Sequence, residues 1–284
     1  MKRRQFLESV LVGMGGLVLE CTGSNDTATS EGAGSGEALA EGKSLRPLDT
    51  LANESAEPGQ FSATLRAAPA QVTLRAGQST AMLLYNGSNP GPLVELREGQ
   101  HVRIALDNAL AQDTTIHWHG LPVPPDQDGN PTDPVYAGTH RVYEFDVPTG
   151  TAGTYWYYPH PHDITAARVA RGLGGPLIVR AADDPLAHLP EVTMFSTALR
   201  LDADAQISPH TAVDWTVGRQ RETLLVNGGL LPVHTIRPGT TQRWRILNAT
   251  SARHFRLALE GTRLRWWALT ADCWQRPSPD CRRS

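Results

Sequence analysis

"REGQHVRIALDNAL" (residues 97–110) and "RPGTTQRWRILNAT" (residues 237–250) are two copies of one unit. Gly99, Arg103 and Asn108 match Gly239, Arg243 and Asn248 at a constant offset of 140. Each copy reads as a turn at glycine followed by an alternating strand. Upstream, Leu83-Leu84-Tyr85-Asn86-Gly87 matches Leu224-Leu225-Val226-Asn227-Gly228, a strand ending in Asn-Gly. A repeat of this length is one structural unit used twice. The chain is therefore expected to hold two related β-domains, one starting near residue 61 and one near 185.

The rest of the first copy agrees. "FSATLRAAPAQVTLRAG", "STAMLLYNG", "HRVYEFDVP", "GTYWYYPH" and "GLGGPLIVR" are short β-branched and aromatic runs between Gly/Pro turns. "DITAARVARGL" is the one short helix expected before residue 180. The chain has 284 residues, 26 Gly, 21 Pro and a net charge of -3. That balance leans to an all-β sandwich and carries no basic footprint for nucleic acid. The cysteines are Cys21, Cys273 and Cys281, and none forms a C-x-x-C pair, which leaves a zinc ribbon without support.

The N-terminus reads as an address. Lys2, Arg3 and Arg4 precede an apolar run from Val10 to Leu19 that is short for a bilayer span. Arg3-Arg4-Gln5-Phe6-Leu7 resembles a twin-arginine export signal, and Cys21 suits lipid attachment. Residues 22–60 are Ser/Gly/Ala/Glu-rich and read as a flexible tether.

"TTIHWHGLPVPPDQDGNP" places His117 and His119 two residues apart in a strand-like run. That spacing puts both imidazoles on one face. At the repeat offset they fall on Leu257 and Leu259, so the same face is expected to be ordinary core in the second copy. "GTYWYYPHPHD" adds His160 and His162, again two apart. Imidazole donors with no nearby thiolate suit Cu, Zn, Ni or Fe. His101, His140, His188, His210, His234 and His254 are isolated and read as structural or surface residues.

These two stretches resemble the first two copper motifs of the multicopper oxidases, the laccase-like family, over roughly residues 61–270. "TLLVNG" and "PGTTQRWRILNATSARHFRLAL" resemble that family's copper-free middle domain. The resemblance implies two cupredoxin-like Greek-key β-sandwiches, at 61–182 and 183–271, the second incomplete. It implies that His117 binds type 2 copper and His119 type 3 copper. The second motif should supply two more type 3 ligands, but Tyr158 stands where the first histidine belongs. Either one ligand is lost or the pair has moved to His160 and His162. Asp128 matches an acidic residue that serves proton delivery to reduced oxygen; alone, Asp128-Gly129 also reads as a simple turn.

The motifs for type 1 copper are missing, since no cysteine is flanked by histidines and no histidine follows His254. The end, "CWQRPSPDCRRS" (residues 273–284), has no strand period and reads like an out-of-frame extension of the gene. The family reaction oxidises a reducing substrate (a phenol, metal ion or tetrapyrrole) and reduces dioxygen to water. The expectation is an exported, periplasmic or cell-surface protein of this family, with Cys21 a candidate membrane tether. The alternatives are a copper-binding half-site without turnover and a non-functional fragment.

Overall fold

A computed structural model describes residues 39–219 and 223–259. The export signal, the three cysteines and the tail from residue 272 lie outside the described residues. The description is all-β, with three four-stranded sheets and two short helices, Thr165–Ala170 and Ala212–Val217. The first helix falls where the sequence places it. Among the described residues, no helix is long and apolar enough to cross a membrane.

The first sheet holds β1 (Gln60–Arg75), β2 (Gln78–Tyr85), β4 (His101–Asn108) and β6 (His140–Asp146), in the order β2-β1-β4-β6. Strands β1 and β2 form a hairpin, and β1 runs parallel to β4 with Phe61 opposite Val102, Ala63 opposite Ile104 and Leu65 opposite Leu106. Along β4, Val102, Ile104 and Leu106 are buried while Arg103 is exposed, the period-2 pattern of a half-buried strand. The second sheet holds β3 (Val94–Arg97), β5 (His117–His119), β7 (Gly153–Tyr158) and β8 (Gly175–Arg180), in the order β3-β8-β7-β5. One apolar cluster, with Leu65, Ile104, Trp118, Tyr157 and Leu177 fully buried, joins the two sheets into a sandwich.

The third sheet holds β9 (Glu191–Leu199), β10 (Thr223–Val226), β11 (Gly229–Leu230) and β12 (Arg243–Asn248), in the order β11-β10-β9-β12. It repeats the first sheet in detail. Strand β9 pairs parallel with β12 as β1 does with β4. Asn86-Gly87 and Asn227-Gly228 both take positive φ, 49° and 71° in one and 50° and 77° in the other. Two consecutive positive φ values make the Asn-Gly turn. Each Asn side chain also clamps the neighbouring strand. Asn86 accepts from the Arg66 N–H at 2.6 Å, and Asn227 accepts from the Phe195 N–H at 2.8 Å.

This third sheet packs on the outer side of β7 and β8. Trp156 meets Phe195, Leu247 and Ala249, and Arg245 donates to the Thr154 hydroxyl at 2.6 Å. Arg180 and Arg245 both pair with Glu191, each at 2.8 Å.

Two expectations change. Residues 39–59, expected to belong to a flexible tether, run extended against the sheets. Leu45 N–H donates to Val233 O at 2.8 Å, Leu51 N–H to Leu93 O at 2.8 Å, and Leu51 is buried in the sandwich core. Its few apolar residues supply docking points that average composition conceals. Leu257 and Leu259 are not in a strand and are half-buried, although burial still alternates along residues 255–259. No strand among the described residues pairs with this segment, so the alternation has no ladder to fix it.

Candidate metal centre

Strand β5 is only three residues long. It pairs antiparallel with β7, placing His117 opposite Tyr158, Trp118 opposite Tyr157 and His119 opposite Trp156. Only one face of the pair can be core. Trp118 and Tyr157 take it, with the indole packed on Phe145 at 5.5 Å and Tyr143 at 6.1 Å between ring centroids. The histidines therefore point away from the core, together with Trp156 and Tyr158.

A loop locks the strand from behind. Trp118 Nε1 donates to Gln127 O at 3.0 Å, and the Trp118 N–H donates to Asp128 Oδ1 at 3.2 Å. Gly129 makes the approach possible. Its φ is +64°, and a Cβ there would stand 2.1 Å from Ile116 O. So placed, Asp128 Oδ1 lies 2.8 Å from His117 Nδ1. The Nδ1–H of His117 donates to this carboxylate, which leaves Nε2 as the free lone pair.

Strand β7 ends at Tyr158, so His160 and His162 lie beyond it. The His160 N–H donates to the buried Thr115 hydroxyl at 2.8 Å, which ties the loop to the start of the histidine strand. The His117 and His160 rings are 5.1 Å apart, and the His117 and His119 rings 5.7 Å. His162 meets the His160 ring at 6.0 Å and is exposed. Tyr158 sits within the cluster, stacked on Trp156 at 4.1 Å, with its hydroxyl 3.0 Å from His119 Nδ1.

The electrostatics of the site disfavour charge on His119 and His160. Burial, then the neighbouring His117, lowers the pKa of His119 below the ordinary value of 6.5. Burial, then His117 and His162, lowers that of His160. Burial, then the Asp128 charge, raises the Tyr158 phenol. Neutral imidazoles are the metal-binding form. Ring centroids 5.1 and 5.7 Å apart place these imidazoles close enough to serve one ion or two adjacent ions. Among the described residues, however, no three His, Cys, Asp or Glu side chains converge to cage an ion. The donor set fits copper in chemistry and spacing, with two imidazoles plus a neighbour rather than a closed cage.

Elsewhere, His101 bridges Asp146 and Glu144 on the surface, and His234 bonds Gln242. Sequence reading overlooks Thr115, because a threonine ahead of a strand carries no signal of what its hydroxyl receives.

Comparison with known proteins agrees with this geometry. A family model described as multicopper oxidase matches residues 66–184. The multicopper oxidase mco of Staphylococcus aureus is 34% identical over 210 residues, which cover 71% of this chain and 45% of that protein. The copper resistance protein A homolog of Pseudomonas syringae pv. tomato is 35% identical over 131 residues, 45% of this chain and 21% of its own length. A solved multicopper oxidase from Campylobacter jejuni, described as a metallo-oxidase, matches with a TM-score of 0.72 and 43% identity. That match covers 75% of this chain and 45% of the other. The chain spans less than half the length of these curated relatives.

Proposed function

We propose that this chain, which belongs to the multicopper oxidase family, holds copper through His117, His119 and His160 as part of an oxygen-reducing site. The observation that carries the reading is the gathering of three imidazoles, His117, His119 and His160, beside the outward face of the Trp118 strand, one of them oriented by Asp128. By family pattern His117 serves type 2 copper, and His119 with His160 and His162 serves type 3 copper. Copper so held would pass electrons that originate in a reducing substrate on to dioxygen. Asp128 fixes the His117 proton at Nδ1 and, being part-exposed, can exchange protons with water near that site. On this reading the gathered histidines serve the oxygen end of the reaction. Arg3-Arg4 and Cys21 support export and a lipid tether.

Metal analysis of the full chain after copper loading tests this. Replacing His117 and His119 by Ala should abolish bound copper; retention of the full native amount would overturn the reading. A second reading, copper binding without turnover, is favoured by Tyr158 standing among the imidazoles. Oxygen uptake on a phenolic dye separates the two, since only the first gives copper-dependent uptake.

A further inference from the structure

We propose that Tyr158 is itself a metal ligand, forming with His119 a two-point copper chelate through the phenol oxygen and Nδ1. The inference rests on the copper reading above and departs from an all-imidazole site. Register puts Tyr158 on the histidine face, directly across from His117. Its hydroxyl lies 3.0 Å from His119 Nδ1. Two donors bound at right angles to one ion at about 2.0–2.2 Å are themselves roughly 2.8–3.1 Å apart. This contact of hydrogen-bond length therefore already has the spacing of two adjacent ligands.

The neighbouring imidazole is bound differently. His117 Nδ1 is held by Asp128 at 2.8 Å, so His117 must use Nε2. Among the described residues no carboxylate contacts His119 Nδ1; its partner is the phenol. The Tyr158 ring is fixed by stacking on Trp156 at 4.1 Å, which orients its oxygen without help from metal. The shortage of three converging His, Cys, Asp or Glu side chains among the described residues then has an explanation, because the missing donor is a tyrosine. On binding, the O–H bond of Tyr158 breaks, a phenolate–Cu(II) bond forms, and one proton per ion passes to solvent. No electron is transferred.

The test adds cupric chloride to the full-length chain and records visible absorption, resonance Raman and electron paramagnetic resonance spectra. The native protein should show a phenolate-to-copper charge-transfer band with enhanced phenolate modes, and ring-deuterated tyrosine should shift those modes. Tyr158→Phe keeps the stacked ring, so it should still bind copper through the imidazoles, at least about tenfold more weakly, and lose the band. Tyr158→His should bind copper without the band. A native copper complex lacking the band, or a band that survives in Tyr158→Phe, overturns this inference and leaves the copper reading standing. Native protein that takes up no copper overturns both.

Discussion

Replacing Asp128 separates what the loop does for the fold from what it does for the metal. Its Oδ1 serves two donors, the Trp118 N–H at 3.2 Å and His117 Nδ1 at 2.8 Å. Trp118 is fully buried, so Asp128→Ala leaves that N–H without an acceptor, at about 1–3 kcal/mol. The contact to His117 joins two part-exposed side chains and contributes about 1 kcal/mol once solvent screening is allowed for. Asp128→Ala should therefore lose about 2–4 kcal/mol of stability, the sum of those two costs. Asp128→Asn retains an amide oxygen for the Trp118 N–H and should lose about 1 kcal/mol or less. Copper affinity should respond differently. Neither variant holds His117 Nδ1–H with a charged acceptor, so both should bind about 10–100-fold more weakly. Urea denaturation of the metal-free protein gives the first quantity, and competition against a chelator of known affinity gives the second. Equal stability losses in the two variants, or native copper affinity in Asp128→Asn, would refute the reasoning.

Three further outcomes follow from the same structure. Gly129→Ala, with a Cβ aimed 2.1 Å from Ile116 O at φ +64°, should force the loop off the strand and cost about 2 kcal/mol or more, and a native-like melting temperature would count against it. Asn227→Ala removes one acceptor for the Phe195 N–H and two donors, to Arg46 O and Thr193 O, at a positive φ; a loss of about 2–4 kcal/mol in denaturant titration is expected, and a loss below about 1 kcal/mol argues against the clamp. His119 and His160 have folded-state pKa values below 6.5, so the unfolded chain protonates first as pH falls. Their stabilising contribution is complete above pH 6.5 and is lost as pH falls through the folded values, and NMR titration should find both below 6.5 while His101, raised by Asp146 and Glu144, titrates above it.

What was legible in the sequence was local. Period-2 alternation gave the strands, and the two Asn-Gly pairs gave the turns, because the required backbone conformation is written in the residue type. The paired histidines were legible for the same reason, since two-residue spacing fixes a common face. Which face is core was not legible. It depends on Tyr143, Phe145 and Tyr157, residues 25 to 39 positions downstream that surround Trp118. Nor was the docking of residues 39–59, whose partners Leu93 and Val233 lie just outside strands β3 and β11. Tyr158 was visible as a departure from the family pattern. Its contact with His119 was not, because that needs the register of β5 against β7.

The second copy shows what each residue of His117-Trp118-His119 contributes. At the offset of 140 these positions become Leu257, Ala258 and Leu259, and the segment there has no ladder. Ala258 is exposed, where Trp118 is the largest fully buried side chain among the described residues. A three-residue strand with three cross-strand pairs has little ladder to hold it. In the first copy the deficit is met by the indole, which fills the core and donates to Gln127 O, and by the Asp128 bond to its backbone. The tryptophan is therefore the structural residue of the triplet. It fixes the strand, so the two histidines keep their nitrogens for Asp128, Tyr158 and the proposed copper. Leucines on that face would give up this separation, because their only contribution is burial.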